Sequence, residues 1–196
     1  MKRIALLTFA MLMGIFCYAQ SEHLKFSGIP IDGTISLFQA KLLKKGYTLD
    51  RITSSYFPIG ARAFRGIFIG EKVLLYVDYD PHTKIVYRVK AIIEDLVESI
   101  AEQKFQEIKE MLKKKYDNSY FLDGEKEGRP AFSICPRRHR TFLSADNNWK
   151  ECYGEIDLFI VKDEDNMNYP YCFNVHIDYH DQINLDKHEI KKIDEL

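Results

Sequence analysis

A segment near the carboxyl end of the chain carries the residues that are best spaced for chemistry. His176, Asp178 and His180 alternate with apolar residues, and a period of two places all three on one face of a β-strand. Residues two apart lie about 7 Å from each other along a strand, and residues four apart lie about 13 Å apart. One metal ion could therefore contact two of the three, and Asp157 or another group would have to complete the site. A polar, solvent-facing side of a half-buried strand is the simpler interpretation.

An acidic run between two predicted strands could bind calcium. Asp163-Glu164-Asp165-Asn166, with Asn168 behind it, is rich in the oxygen ligands that calcium prefers. The run lacks the central glycine and the distant glutamate of an EF-hand loop. A solvated hairpin turn is the simpler interpretation here as well.

A basic cluster lies in the segment 136–150. Arg137, Arg138 and Arg140 accompany a histidine, and Trp149, the only tryptophan of the chain, lies near the end of the same segment. Clustered cations can bind an anion, a lipid head group or an acidic protein, and arginine and tryptophan are enriched at protein–protein contacts. We therefore expect these four residues to form a binding loop, with a plain exposed loop as the alternative.

Motifs for catalysis and for cofactor binding are missing from the sequence. It contains no G-x-S-x-G, H-E-x-x-H, P-loop or G-x-G-x-x-G pattern. No cysteine lies at the predicted start of a helix, where its pKa would fall. The 28 basic residues nearly balance the 29 acidic ones, which argues against nucleic acid as a partner. We expect a protein that needs no cofactor and is not an enzyme.

The amino-terminal segment 1–19 has the features of a secretion signal. Lys2 and Arg3 precede an uncharged run over 4–16, and a small residue follows at Ala19, as signal peptidase requires. The run is short for a membrane span, which takes about 20 apolar residues. We predict cleavage after Ala19 and a secreted or periplasmic protein with no integral membrane segment. The alternatives are a lipoprotein signal at Cys17, although the residue before that cysteine is bulky, and an uncleaved anchor.

Helical and strand-like segments follow one another in an order that occurs twice. Each half begins with an amphipathic helix, shown by Ile35, Phe38 and Leu42 in the first half and by Phe105 and Leu112 in the second. Turn residues separate the strands that follow each helix. The predicted strands are 47–56, 61–69, 72–80, 84–93, 116–122, 129–135, 151–162 and 169–180. We expect the core to contain Phe38, Leu42, Leu74, Tyr76, Phe105, Ile108, Leu112, Leu158, Ile160, Phe173, Val175 and Ile177.

Two local matches indicate that the halves are copies of one unit. The segment 42–47 is similar to 111–116 at the end of each helix, and 70–77 is similar to 154–161 in the hairpins. The second half is longer because of the insertion 136–150. The matches predict an α+β protein, a tandem duplicated helix plus four-stranded antiparallel meander with the helices packed on one sheet face. The predicted segments are the signal 1–19, a first unit 20–97, a second unit 98–183 and a terminal helix 184–196.

This order of elements resembles known folds. The helix with four antiparallel strands, twice over, resembles the β-lactamase inhibitor protein, and one such unit resembles the outer-membrane assembly lipoproteins of the SmpA type. Residues 31–35, leading into 38–42, are similar to the short Gly-Thr helix start of those modules. The segment 23–34 also looks like small, uncharacterised secreted proteins of Gram-negative bacteria. The resemblance implies a fold over residues 23–181 and supplies no active site.

The predicted duplication also places two cysteines opposite each other. Signal cleavage removes Cys17 and leaves Cys135, Cys152 and Cys172. Cys135 and Cys152 lie at the two ends of the insertion, where facing residues of an antiparallel pair come within disulfide distance. We predict a bond between these two. A chain without a disulfide, or with one that uses Cys172, is the alternative.

Together these features favour a secreted, non-catalytic binding or inhibitory module that acts through a sheet face and the 136–150 loop. Its partner would be an unknown protein or a component of the envelope. The alternatives are an envelope-assembly or structural partner protein and a metal-dependent enzyme. An exposed patch outside the core would indicate a binding module, and a cleft where titratable groups converge would indicate an enzyme.

Overall fold

The computed structural model describes residues 23–136, 152–163 and 172–194. Its strands form two antiparallel sheets. The small sheet consists of β1 (Lys25–Phe26) and β2 (Ile29–Pro30). The large sheet consists of β3 (Thr48–Asp50), β4 (Ala61–Phe68), β5 (Glu71–Tyr79), β6 (Val86–Leu96), β7 (Tyr120–Lys126), β8 (Arg129–Cys135), β9 (Gly154–Lys162) and β10 (Phe173–Asp181). Its eight strands lie in the order β3-β4-β5-β6-β10-β9-β8-β7, and all neighbours are antiparallel.

Four helices accompany the sheets in the described ranges. They are α1 (Ile35–Lys44), α2 (Arg51–Ser55), α3 (Glu98–Lys115) and α4 (Gln182–Asp194). Apolar positions recur at helical spacing, so each long helix buries one stripe: α1 buries Phe38 and Leu42, and α3 buries Phe105, Ile108 and Leu112. None of the helices in these ranges has the length and apolar character needed to cross a membrane.

The core lies between α1, α3 and one face of the large sheet, which we call the inner face. Alternate residues of each strand point to it, among them Val175 and Ile177 of β10 and Leu75 of β5. Burying one such side chain stabilises the fold by roughly 1.5–3 kcal/mol. The residues between them form the opposite face, which we call the outer face.

Two residues of the expected core lie on the outer face. The other ten members of the expected set belong to the inner-face core. Leu74 is buried outside this core, and Tyr76 is only half-buried. They alternate with Val73, Leu75 and Val77, which point inward, because the period of two along β5 sends neighbours to opposite sides.

The predicted fold class, a tandem duplicated helix plus four-stranded meander, is wrong. One eight-stranded sheet dominates the structure, and a two-stranded sheet and four helices are added to it in the described ranges. Pairing between β6 and β10 runs from Arg88 opposite His180 to Leu96 opposite Phe173, and this pairing joins all eight strands into one sheet. Two separate units would leave the backbones of β6 and β10 unpaired at sheet edges, which costs free energy. The antiparallel arrangement itself is confirmed.

The predicted strand 47–56 is also largely wrong, since only β3 is extended and α2 follows at once. The Asp50 side chain accepts a hydrogen bond from the Thr53 backbone N–H at 3.0 Å. The Ser54 hydroxyl donates to the Asp50 carbonyl. These local bonds compete with strand pairing and begin a short helix.

The first described residues are tied to the last strand. The Leu24 N–H donates to the Asp181 carboxylate at 2.8 Å. Phe26 is fully buried, and its ring lies 4.7 Å from that of Phe68 and 5.4 Å from that of Tyr179. The β1–β2 hairpin therefore belongs to the same core as the large sheet.

Candidate functional site

Charged side chains cross the middle of the outer face from strand to strand. Alternation along β5, β6, β9 and β10 brings acidic and basic residues to this face, and strand pairing sets them side by side. Arg88 lies opposite both Asp78 and His180, and Lys90 lies opposite Asp178. We call the whole group the charge cluster, and its members are Asp78, Arg88, Lys90, Asp157, Asp178 and His180.

Asp178 is the centre of the charge cluster. Its side chain is only 3% exposed, and Arg88 donates Nε to Oδ1 at 2.8 Å and Nη2 to Oδ2. Lys90 Nζ lies 3.7 Å from Oδ2, and His180 Nε2 lies 3.4 Å from Oδ1. Burial raises the pKa of the Asp178 carboxyl, but the hydrogen bonds from Arg88 and His180 outweigh burial and hold the pKa well below its usual value. Asp178 therefore stays ionised.

Asp78 and Asp157 are the outer acids of the cluster. The Ser133 hydroxyl donates to Asp157 Oδ1, and His180 Nε2 lies 3.7 Å from Asp157 Oδ2. Asp78 has a weaker contact, with its Oδ2 at 3.5 Å from Arg88 Nη1. Burial raises the pKa of Asp78 above its usual value. Asp78 is thus the acid that would gain most from a further cationic partner.

His176 lies on the outer face beside the charge cluster. Its ring stacks on Phe159 with centroids 5.0 Å apart, and Lys126 Nζ lies 3.5 Å from the centre of the Phe159 ring. His176 Nδ1 is buried without a hydrogen-bond partner among the described residues. Burial, with the charge of Lys90 in second place, lowers the pKa of His176 to about 4. The imidazole is therefore neutral at neutral pH.

The structure does not assemble a metal centre from the residues that the sequence singled out. Asp178, His180 and Asp157 are brought together, but Arg88 occupies both oxygens of Asp178, and His176 stacks on an aromatic ring instead. In the described ranges, no group of three or more His, Cys, Asp and Glu side chains could hold a metal ion. Residues 164–168 of the acidic loop lie outside the described residues.

A cleft of about 440 Å³ opens at one end of the charge cluster. Asp78 belongs to the cluster and also lines the cleft. The ring of His188, which α4 carries, stacks on Tyr87 with centroids 4.5 Å apart and planes 13° apart. Ile59 and Pro81 line the apolar side of the same cleft. The cleft therefore combines an acid, an aromatic wall and an apolar rim.

Asp80 fixes His188 in this cleft. His188 Nδ1 lies 2.8 Å from Asp80 Oδ2, while Asp80 Oδ1 accepts the backbone N–H groups of His82 and Thr83 at 2.9 and 2.6 Å. Burial raises the pKa of Asp80, but these hydrogen bonds outweigh it and hold the pKa well below its usual value. Asp80 and His188 are 108 residues apart, so no spacing in the sequence could have linked them.

The predicted disulfide between Cys135 and Cys152 is confirmed. The two Cα atoms lie 5.6 Å apart, and Cys172 is a buried free thiol. Alternation along β8 places Cys135 on the same face as Ser133, so the bond lies on the outer-face side of the sheet. The binding residues predicted between the two cysteines lie outside the described residues: Arg137, Arg138, Arg140 and Trp149.

Comparisons with known proteins give no relative. No family model, no curated protein and no solved structure matches the chain. The likeness to the β-lactamase inhibitor protein and to the SmpA-type lipoproteins therefore stays a prediction.

Proposed function

We propose that the chain is a secreted, non-catalytic binding or inhibitory module whose partner docks on the outer face of the large sheet. The observation that carries this proposal is the charge cluster, in which five ion-pair contacts link six side chains, and three of the five reach the buried Asp178. The cluster lies on the face opposite the core helices α1 and α3. A partner with complementary charges would meet it directly.

The cluster offers charges that are both accessible and already oriented. The side chains of Arg88 and Asp157 are each 29% exposed, and those of Lys90 and His180 are 22% and 21% exposed. Their mutual contacts hold them in place before a partner arrives, so little side-chain entropy is lost on binding. Charges of both signs at fixed positions give specificity, because a mismatched partner would place like charges together.

The hydrogen bonds of the cluster suit binding better than catalysis. The Ser133 hydroxyl donates to the Asp157 carboxylate, and a carboxylate is a weaker base than the imidazole that commonly activates a nucleophilic serine. Asp178 is buried and accepts hydrogen bonds from Arg88 on both oxygens, and these bonds hold its pKa well below the usual value, so it is a poor base for a substrate proton. The arrangement therefore positions charge without supplying an activated nucleophile.

Apolar anchors border the charged surface. The side chains of Tyr56 and Ile59 are 81% and 79% exposed, and Ile59 lines the cleft next to Asp78. Phe57, between them in sequence, packs edge-on against Tyr76 of the outer face with ring centroids 4.8 Å apart. Exposed aromatic and aliphatic groups beside charged ones are typical of protein-binding surfaces.

The insertion 136–150 would extend this surface. The disulfide at its neck joins Cys135, the last residue of β8, to Cys152, which precedes β9 by two residues. The bond lies on the outer-face side of the sheet. Under the proposal, Arg137, Arg138, Arg140 and Trp149 contact the same partner as the charge cluster. The contributions of the insertion and of the charge cluster to binding can be measured separately, because the cluster can be altered without changing the insertion.

The experiment compares two double variants that leave the formal charge unchanged. Lys90→Gln with Asp157→Asn removes one cation and one anion from the outer face. Lys104→Gln with Glu107→Gln does the same on α3, where the two side chains form an exposed ion pair. Mature wild-type protein and both variants are used to capture partners from the native envelope and secreted fraction, and the captured partner is then titrated calorimetrically.

We expect the wild type and the α3 variant to bind one partner equally. We expect the outer-face variant to bind at least about tenfold more weakly, since paired charges at an interface are worth a few kcal/mol. Circular dichroism and thermal melting check that both variants are folded. Equal binding by all three proteins would contradict the proposal.

The cleft supports an enzyme as the second candidate function. His188 is held by Asp80 in a cleft that also contains Asp78 and Tyr87, and a histidine oriented by an aspartate can act as a general base. The test is hydrolysis of a panel of esters and phosphoesters by the wild type and by His188→Gln. Turnover that the variant loses would favour the enzyme, and turnover by neither protein would count against it.

A further inference from the structure

Strand β6 contains a β-bulge at Tyr87, in the wall of the cleft beside the charge cluster. The register of β5 against β6 shifts between Asp78 and Tyr79, so that Tyr87 has no residue opposite it. Bulges are common next to functional sites, where they redirect a side chain. The ring of Tyr87 lies nearly parallel to that of His188, and both residues line the cleft. The bulge therefore supplies the aromatic wall.

The lining of the cleft that the structure describes is acidic. Asp78 and Asp80 both belong to it, and it includes no lysine or arginine. Asp80 is held against His188, so a charge on that imidazole would balance Asp80 and not Asp78. A cleft lined by one sign of charge attracts ligands of the opposite sign. We therefore expect a cationic ligand.

Asp78 has only a weak counter-charge in its nearest cation, Arg88. Arg88 makes its two shorter hydrogen bonds to Asp178, and its Nη1 lies 3.5 Å from Asp78 Oδ2. Burial raises the pKa of Asp78 more than the charge of Arg88 lowers it, so the pKa stays above its usual value. The Asp78 side chain is 22% exposed and lines the cleft, so a ligand in the cleft can reach it.

We infer that the cleft binds a guanidinium group on an apolar stem. The guanidinium lies between the Asp78 carboxylate and the ring of Tyr87, and the stem lies along Ile59 and Pro81, which line the apolar side. The same group occurs in free small molecules and in arginine side chains of proteins, and the experiment distinguishes these two sources. The inference goes beyond both candidate functions and depends on neither.

A guanidinium suits this cleft better than an ammonium does. It is planar, stacks on aromatic rings and is more weakly hydrated than an ammonium, so it loses less on entering a cleft with an apolar side. It can also donate two parallel hydrogen bonds to one carboxylate. The cleft volume of about 440 Å³ lies within the range of small-ligand sites, about 300–1,000 Å³.

The first measurement titrates the mature protein with three probes and follows its backbone amide signals by NMR. Butylguanidine carries the group on an apolar stem, and N-acetylarginine methylamide carries it on a peptide backbone. Butylurea has the shape of butylguanidine without the charge. We expect both guanidinium probes to shift the signals of Ile59, Gly60 and Tyr87, which line the cleft, and we expect butylurea to bind at least about tenfold more weakly.

The relative affinity of the two guanidinium probes identifies the source of the group. Tighter binding of the arginine derivative would assign the cleft to an arginine side chain of a protein, and tighter binding of butylguanidine would assign it to a small molecule. Equal affinities would show that the guanidinium and its stem make the whole contact. Each of these results supports the inference, whereas butylurea binding as tightly as butylguanidine would overturn it.

Variants test whether Asp78 and Tyr87 hold the group. We expect Asp78→Asn to weaken butylguanidine binding at least about tenfold, because a charge-assisted contact is lost, and Tyr87→Leu to weaken it about threefold, because the aromatic face is lost. The matched control is Glu94→Gln, which should bind as the wild type does. Glu94 is 34% exposed, is also paired with an arginine and is not in the described lining of the cleft. Circular dichroism and thermal melting check that all three variants are folded.

The pKa of Asp78, followed by carbon NMR of its carboxyl group, is the second measurement. A bound cation favours the ionised carboxylate, so we expect the pKa to fall when butylguanidine saturates the protein and to stay unchanged with butylurea. The other charged groups that act on Asp78 are Arg88, Lys90, Asp178 and His180, and they are present with and without the probe. An unchanged pKa at saturation, or binding that Asp78→Asn leaves intact, would overturn the inference.

Discussion

Asp178 is a buried charge that the fold keeps ionised. Strand pairing between β6 and β10 supplies Arg88 and Lys90 to its oxygens, and His180 approaches from its own strand. Removing one partner of a buried pair is far more costly than replacing both, because the remaining charge loses its compensation. The stability of the outer face should therefore respond to single changes here.

We expect Asp178→Asn to lower the free energy of unfolding by about 2–4 kcal/mol, because Arg88 keeps its burial but loses its counter-charge. The loss should be moderated by the access of Arg88 to water, since its side chain is 29% exposed. The double variant Arg88→Met with Asp178→Leu should lose less than the single one. Urea unfolding measures all three proteins, and a single variant as stable as the wild type would contradict the assignment.

His176 makes stability depend on pH. The pKa of a histidine in an unfolded chain is about 6.5, and the pKa of His176 in the folded protein is about 4. Between these values the unfolded state binds more protons, so stability is complete above pH 6.5 and is lost as the pH falls towards 4. The slope from this one group is at most about 1.4 kcal/mol per pH unit.

We expect His176→Phe to remove this contribution while keeping the ring stack on Phe159. As the pH falls from 6.5 to 4, the wild type should therefore lose unfolding free energy relative to the variant, and the difference between the two should grow in favour of the variant. Carboxylates contribute equally to both proteins and cancel in the difference. The measurement is urea unfolding at a series of pH values, with the His176 titration followed by NMR. A midpoint near 6.5 would show that the imidazole is not buried as described.

At the scale of elements, Gly154 sets how closely β9 and β10 approach each other. Gly154 begins β9 opposite Asp181, and a Cβ at this position would collide with the backbone carbonyl of His180. A backbone atom within a paired strand cannot move aside. The alternation of residues in sequence carries no sign of this contact, which arises only when the two strands pair.

We expect Gly154→Ala to destabilise the protein by about 1–3 kcal/mol, the usual result of overpacking. Gly124→Ala in β7 is the matched control, because its Cβ would meet nothing within 4 Å and its φ is not positive. Thermal melting of both variants measures the difference. Equal melting temperatures would show that β9 and β10 can separate enough to admit a methyl group.

At the scale of the whole molecule, the disulfide closes the segment between β8 and β9. Cys135 and Cys152 are 17 residues apart in sequence, and a cross-link over a loop of that length stabilises by about 3 kcal/mol through the unfolded chain. We expect Cys135→Ser with Cys152→Ser to lose roughly that amount in urea unfolding. Cys172→Ser, which breaks no bond, is the control.

Peptide mapping without reductant is the direct check on the disulfide. It should find Cys135 joined to Cys152 and Cys172 as a thiol in protein that was secreted into an oxidising compartment. Free thiols on both Cys135 and Cys152 would refute the bond. The double serine variant should also retain the outer-face charge cluster, because none of its contacts passes through the sulfur atoms.

Local patterns in the sequence determined much of this protein. The spacing of Phe105, Ile108 and Leu112 predicts a helix that buries those side chains, and α3 does so. The alternation around His176, Asp178 and His180 predicts a strand with these three on one face, as β10 shows. The disulfide follows from cysteines at the ends of one insertion. These features depend on residues that are close in sequence or that meet in one hairpin, where backbone geometry alone sets the period.

Tertiary structure alone decided the rest. The pairing of β6 with β10 joins residues about 80 to 90 positions apart, and the choice between one sheet and two units rests on burying both strands at once. The face on which Leu74 and Tyr76 lie, the placement of Arg88 on Asp178 and the approach of His188 to Asp80 follow from that pairing and from the packing of α4. The repeating pattern of apolar and polar residues shows which face of a segment is buried. It carries no information about which distant segment will pair with it or pack on it. The free energy that makes that choice belongs to the whole core and to the backbone hydrogen bonds of all eight strands.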